Sequence, residues 1–212
     1  MNQRDFSKLY ASKAGIAVLT VAFCAVILAS VTFIAADGKM QMPSAALYKI
    51  AQMPATGLKP QEGLISPYDA PQFTGISSWL NSPPLTMQEL RGKVVLVDFW
   101  TYGCVNCVNT LPHVIELYAK YKDRGLVVVG VHTPEFPFEK SASNVQAALK
   151  RHGITYPVAQ DNDSQTWNAY GNQYWPAQYI IDQSGKIVFQ HDGEGQYEQI
   201  DRTIARLLNA NS

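Results

Sequence analysis

The chain has 212 residues, 47% of them hydrophobic, and its 17 basic side chains balance 17 acidic ones. This length suits one well-packed domain with appendages rather than two full domains. The balanced charge provides no basic surface for nucleic acid or for an anionic membrane, so we expect specificity to come from a local site.

The first predicted element is the run 14–36, which contains no charged side chain. As a helix it would be about 34 Å long, enough to cross a bilayer. A cleaved signal peptide is the alternative, but its apolar region is usually about 7–15 residues long. Basic residues are more numerous before the run than after it, which favours a cytoplasmic N-terminus. They are Arg4, Lys8 and Lys13 against Lys39 and Lys49.

The chain is therefore predicted to have four segments. They are a cytoplasmic tail over 1–13, a transmembrane anchor over 14–36, a flexible tether over 37–67 and a folded domain over 68–212. The tether is rich in Met, Pro, Ala and Gln and shows little periodicity. This arrangement predicts a single-pass protein of the inner membrane, with its folded domain on the periplasmic side, where dithiol-disulfide proteins are common.

Apolar runs and helical spacings alternate through the folded domain, which predicts an α/β fold with parallel strands at its core. A β-hairpin with a glycine-containing loop and an amphipathic helix are predicted to follow. The predicted order is strand 94–99, helix from 108, strand 126–131, helix 145–152, strand 156–159, helix 164–170, hairpin strands 177–182 and 186–190, and helix 200–208.

Two cysteines, Cys104 and Cys107, lie where the first predicted strand passes into a helix. Thiols at this spacing can close a disulfide ring and reopen it, and the helix N-terminus favours a thiolate at the leading position. A zinc site would need a second such pair or nearby histidines, and the sequence has neither at a suitable spacing. We therefore expect no metal and no cofactor beyond a redox-active disulfide.

Three separate stretches resemble the thioredoxin superfamily. The family's buried acid is matched by Asp98, its helix-kinking proline by Pro112, and the cis-proline that faces its disulfide by Pro176. The longer separation between the cysteines and Pro176, with a helix and strand between about 138 and 159, is similar to the TlpA-type branch. The runs VVLVDFWTYGCVNC, LVVVGVHTPEFPFE and YWPAQYIID further resemble the thioredoxin-like domain of DipZ-type proteins, over about 85–210.

The resemblance implies a thioredoxin-like fold, with a central mixed sheet flanked by helices and a TlpA-type insertion. It also implies thiol-disulfide exchange with the cysteines of exported proteins. In DipZ-type proteins the domain is joined to a polytopic membrane electron conduit. If the present chain acts as a reductase, it would need a separate electron-transfer partner of the CcdA/DsbD type.

Each candidate site residue has an expected role. Cys104 is the predicted nucleophile and Cys107 resolves the mixed disulfide. Asp98 lies in an apolar strand, so its pKa should be raised and it can accept the proton of Cys107. Pro176 would leave the backbone before it free to dock a substrate strand. Trp175, Trp100 and Tyr102 are predicted to form an aromatic substrate rim, with core packing as the alternative for Trp100, and Glu135 is a possible second acid or base.

Two other functions are alternatives to the predicted thiol-disulfide exchange. A peroxiredoxin-like thiol peroxidase is suggested by Thr101, three residues before Cys104, but Val97 stands where that family has a proline. A Sco-type copper-binding chaperone shares the fold but uses a cysteine pair one residue further apart. The dipeptide Val105-Asn106 leaves both directions of electron flow open.

Overall fold

The computed structural model describes residues 64–210. The predicted cytoplasmic tail 1–13 and the predicted anchor 14–36 lie outside these residues, as does most of the predicted tether. Across 64–210, no helix combines the length and the apolar character needed to cross a membrane.

Residues 64–210 form one sheet of seven strands together with four α-helices. The strands are β1 (Leu64–Asp69), β2 (Ser78–Leu80), β3 (Val94–Trp100), β4 (Leu126–His132), β5 (Val158–Gln160), β6 (Ala177–Ile181) and β7 (Lys186–Asp192). The helices are α1 (Val105–Tyr121), α2 (Ala142–His152), α3 (Gln165–Ala169) and α4 (Tyr197–Asn209). Two short 3₁₀ turns lie at Lys122–Arg124 and Pro137–Lys140.

The sheet is mixed, with the strand order β1-β7-β6-β3-β4-β5-β2. Strand β4 pairs in parallel with both β3 and β5, whereas β6 pairs antiparallel with both β3 and β7. The helix and strand predicted between 138 and 159 correspond to α2 and β5, and β5 extends the parallel part of the sheet. The structure thus confirms the predicted α/β fold with a mixed sheet.

The start of the folded domain differs from the prediction. Strand β1 begins at Leu64, inside the predicted tether 37–67, and pairs antiparallel with β7. Because Ser66-Pro67 has the composition of a turn, the residue pattern did not predict this strand. Because β1 is the outermost strand of the sheet, it tolerates a proline that cannot donate a ladder hydrogen bond.

Strand β3 is buried at every position, because each of its faces packs against a different hydrophobic cluster. Val94, Leu96 and Trp100 belong to a cluster with residues of α1 and α4, whereas Val95 and Val97 belong to the opposite cluster. Successive strand residues point to opposite faces, so Asp98 lies on the same face as Leu96. That face is the one covered by α1.

Helix α1 turns a slightly different face to the sheet from the one predicted. Leu111 and Val114 are buried as expected, but Ile115 and Tyr118 are only partly buried. The buried face starts at Cys107 and continues through Thr110, Leu111, Val114, Leu117 and Tyr121. The second cysteine therefore belongs to the helical stripe that packs against β3.

Gly130 in β4 faces a tightly packed part of the core. An ideal Cβ there would lie 3.0 Å from Trp100 Nε1, 3.1 Å from Tyr156 Cε2 and 3.4 Å from Val158 Cγ2. All three neighbours are fully buried, so they cannot move without disturbing others. We expect Gly130→Ala to lower the free energy of unfolding by about 1–3 kcal/mol in denaturant titrations. An unchanged free energy of unfolding would mean that the core is looser here than described.

Candidate active site

The cysteine pair lies at the junction of β3 and α1. Cys104 is the N-cap residue of α1, and its Sγ accepts a hydrogen bond from the backbone N–H of Cys107 at 3.3 Å. Cys104 is partly exposed, whereas Cys107 is 1% exposed. Burial raises the pKa of the Cys107 thiol. The arrangement therefore offers one accessible thiol and one protonated thiol held behind it.

A buried carboxyl lies beneath this pair. Asp98 is 1% exposed, and its Oδ1 accepts a hydrogen bond from Gln178 Nε2 at 2.8 Å. Burial raises the pKa of Asp98 to about 7, and the Gln178 hydrogen bond partly opposes this shift. Asp98 is close enough to Cys107 for its charge to raise the pKa of that thiol further. A proton acceptor that titrates near neutral pH is thus available to the buried cysteine.

Gln178 was missed by sequence reasoning. It lies in β6, directly opposite Asp98 in the register of the antiparallel β3–β6 pair. Nothing in the sequence near Gln178 marks it, because the contact depends on strand register. Within the described chain, Gln178 Oε1, Trp100 Nε1 and Tyr156 Oη are buried side-chain atoms without a hydrogen-bond partner.

Trp100 does not belong to a substrate rim. Its side chain is fully buried, and its ring meets His132 edge-on at 5.3 Å between ring centres. Trp100 ends β3 on the face that packs against α1, so it is a core residue, the alternative considered for it. The prediction that Trp100 contacts substrate is therefore wrong.

Tyr102 is partly exposed, and it contacts the loop after β4, which carries two exposed phenylalanines. Its ring stacks on His132, and its hydroxyl donates to the Phe138 carbonyl at 3.0 Å. Phe136 and Phe138 are 46% and 58% exposed, and their rings lie parallel at 5.6 Å. Val105, between the cysteines, is 70% exposed. Accessible apolar surface thus adjoins Cys104. The two phenylalanines in the run EFPFE indicate this surface in the sequence, but they were not recognised as part of the site.

The second half of the site is the loop before β6. The Trp175–Pro176 peptide bond is cis, as the resemblance implied. Trp175 is partly buried, and its Nε1 donates to the Thr133 carbonyl at 3.2 Å. Its ring lies 4.2 Å from that of Trp167. Trp175 is thus fixed against the end of β4 while keeping part of its surface accessible.

Glu135 lies at the exposed surface of the loop after β4. The buried acid of this loop is Glu139, which is 0% exposed and accepts a hydrogen bond from the Gly103 N–H. Glu139 was not predicted from the sequence as a site residue, although it is only four residues from Glu135. Its burial depends on the 3₁₀ turn at Pro137–Lys140, which folds the loop back toward the cysteines.

His132 and Thr101 are both buried. Thr101 begins the turn 101–104 that leads into α1, which we call the cysteine turn. The Thr101 Oγ1 lies 3.3 Å from His132 Nε2. Burial lowers the pKa of His132 to about 4, so its ring is neutral at pH 7. Within 64–210, no three His, Cys, Asp or Glu side chains are grouped so that they could hold a metal ion.

Asp98→Asn tests the electrostatic state of the buried carboxyl, since asparagine keeps an acceptor for Gln178 but cannot ionise. The pKa of Asp98 rises from about 4 in the unfolded chain to about 7 in the folded one, so the wild-type fold loses stability between pH 4 and pH 7, where the unfolded chain has released this proton and the folded chain still holds it. We expect the variant to gain up to about 4 kcal/mol in free energy of unfolding at pH 8. The gain should vanish as the pH falls to 4.

Denaturant titrations at pH 4, 6 and 8 measure this difference. The exposed Asp163 provides a matched control, and Asp163→Asn should change stability little at any of these pH values. A gain in Asp98→Asn that is the same at pH 4 and pH 8 would contradict the raised pKa.

The chain is similar to known proteins in sequence and in fold. Residues 68–206 match the family model named Redoxin. The chain is 49% identical over 143 residues to Protein DipZ of Mycobacterium bovis, covering 66% of this chain and 21% of that protein. It is 32% identical to the thiol-disulfide oxidoreductase YkuV of Bacillus subtilis, covering 65% of this chain and 93% of that protein.

A solved structure shares the fold. The solution structure of a thioredoxin-like protein in the oxidized form superposes with a TM-score of 0.62 at 30% identity, covering 68% of this chain and 97% of that one. The chain spans about a fifth of the length of DipZ. The chain belongs to the Redoxin family, among the thiol-disulfide oxidoreductases with a thioredoxin-like fold.

Proposed function

We propose that this protein is a membrane-anchored, extracytoplasmic thiol-disulfide oxidoreductase that exchanges its Cys104–Cys107 pair with cysteines of exported proteins. One observation carries the proposal. A partly exposed thiol at the N-terminus of α1 is backed by a buried thiol and a buried carboxyl whose pKa is about 7.

In the reducing direction, the Cys104 thiolate attacks one sulfur of a substrate disulfide. A mixed disulfide forms, and the other substrate sulfur leaves as a thiolate. Cys107 then attacks Cys104 Sγ, which releases the second substrate thiol and closes the Cys104–Cys107 disulfide. The reverse sequence oxidises a substrate dithiol.

The Cys107 proton must leave before Cys107 can attack. Because burial raises the pKa of this thiol, bulk water is a poor acceptor for the proton. Asp98 lies close by on the same face of β3, and its pKa of about 7 leaves a substantial ionised fraction at neutral pH. We assign Asp98 as the proton acceptor for Cys107.

The surroundings of Cys104 suit an extended protein segment rather than a small polar substrate. Tyr102, Val105 and Trp175 each present accessible apolar surface near the cysteine turn and the loop before β6. Such a surface stabilises an apolar stretch on either side of a substrate cysteine. The proposed substrates are therefore exported proteins with accessible cysteines.

The membrane location rests on the uncharged run 14–36 and on the excess of basic residues before it. With the N-terminus in the cytoplasm, residues 64–210 lie in the periplasm. If the protein reduces its substrates there, a membrane electron-transfer partner of the CcdA/DsbD type returns the cysteine pair to the dithiol form.

A thiol peroxidase is less consistent with the site. The Thr101 hydroxyl is buried and directed at His132 instead of standing free beside Cys104, and Val97 stands where a peroxiredoxin has a proline. No contact in the site favours peroxide over a disulfide as the substrate.

Trapping of substrates tests the proposal in cells. Cys107→Ser removes the resolving thiol, so mixed disulfides between Cys104 and substrates should accumulate on non-reducing gels and yield exported proteins by mass spectrometry. Cys104→Ser is the control and should trap none. Trapping by Cys104→Ser alone would reverse the assigned roles, and trapped proteins of purely cytoplasmic origin would contradict the location.

A further inference from the structure

The loop after β4 contains a carboxylate that has no place in the exchange mechanism described above. Glu139 is fully buried, and each of its carboxylate oxygens accepts hydrogen bonds from the backbone. Oε1 accepts from Gly103 N at 3.0 Å, and Oε2 accepts from Glu135 N at 2.7 Å and Phe136 N at 3.0 Å. Both oxygens act as acceptors, which a carboxylate provides and an amide does not.

One of these bonds reaches the residue immediately before Cys104. An ideal Cβ at Gly103 would collide with Glu139 Oε1. The backbone of Gly103 is not left-handed, so the close approach of the carboxylate, rather than the backbone conformation, explains the glycine. The glycine at 103 thus leaves room for the Glu139 carboxylate to contact the cysteine turn.

The same loop holds the cysteine turn at a second point. The Tyr102 hydroxyl donates to the Phe138 carbonyl, next to Glu139. The Cys104 N–H closes the turn by donating to the Thr101 carbonyl at 3.4 Å. Two consecutive residues before Cys104 are therefore anchored to the loop at 138–139.

We propose that Glu139 is a positioning residue for thiol-disulfide exchange. Its carboxylate fixes the Gly103 amide and thereby the turn that presents Cys104 Sγ to a substrate. The inference rests on the proposed function, because it assigns to Glu139 the geometry of that reaction. Misplacing a reacting group by about 1 Å can slow a reaction on the order of a hundredfold, so an anchor this close to the nucleophile matters.

The test measures the second-order rate constant for reaction of the reduced protein with oxidised glutathione at 25 °C. We expect Glu139→Gln and Gly103→Ala each to lower it about tenfold or more. Gly103→Ala keeps the carboxylate, and its added Cβ collides with the oxygen that accepts from Gly103, so the substitution is directed at the bond to the cysteine turn rather than at the bonds to Glu135 and Phe136. Glu116→Gln, on the exposed side of α1, is the matched control and should stay within about twofold of wild type.

A double-mutant cycle separates positioning from a general loss of stability. Because Gly103 and Glu139 act through one contact, adding Gly103→Ala to Glu139→Ala should cause no further slowing. The amide proton resonance of Gly103, shifted downfield by its carboxylate partner, should move upfield in Glu139→Gln. If Glu139 had only a structural role, its substitution would lower the melting temperature but would not change the rate constant at 25 °C. The double-mutant cycle would then show no coupling between residues 103 and 139.

Wild-type rates in either single variant, or effects that multiply in the double variant, would overturn the proposal. If Glu139→Gln fails to fold, the rate of Gly103→Ala decides the matter. Failure of the proposed function has a different signature, because wild-type protein would then react no faster than Cys104→Ser.

Discussion

The burial of Asp98 in the middle of β3 is the constraint on which the site depends. A carboxyl without access to water strongly disfavours ionisation, and here its pKa rises to about 7. Because strand residues alternate in direction, Asp98 must face α1, whose buried stripe begins at Cys107. The register of β6 brings Gln178 directly opposite. Sheet register and helix packing together place Asp98, whose pKa is about 7, next to the buried thiol of Cys107.

The segment that follows β4 joins the two halves of the site. Thr133 donates its N–H to the Trp100 carbonyl at the end of β3, and its own carbonyl accepts from Trp175 Nε1. Its hydroxyl donates to the buried Asp161, which also accepts from the backbone at the start of α3. Six residues later, Glu139 reaches the cysteine turn. One loop therefore contacts both the turn before Cys104 and the loop before β6.

Sequence periodicity was sufficient for the elements with strong local signals. The apolar run of β3, the helical spacing of α1 and the glycine loop between β6 and β7 each predicted the observed element. The cysteine pair was found from its spacing, whereas the cis-proline position came from the resemblance to the thioredoxin superfamily. Features that depend on contacts distant in sequence were missed, because strand register produces the Gln178–Asp98 pair and a 3₁₀ turn buries Glu139 while leaving Glu135 exposed. Trp100 was ambiguous because an aromatic residue at a strand end suits both a core and a rim.

The most direct test of the account is the titration of the Asp98 carboxyl in the reduced protein. Carbon-13 NMR of the side-chain carboxyl, assigned by comparison with Asp98→Asn, reports its ionisation between pH 3 and pH 10. We predict a midpoint near pH 7, as its burial requires. A midpoint near pH 4, the ordinary value for an aspartate, would show that the carboxyl is solvated and would contradict its role as proton acceptor for Cys107.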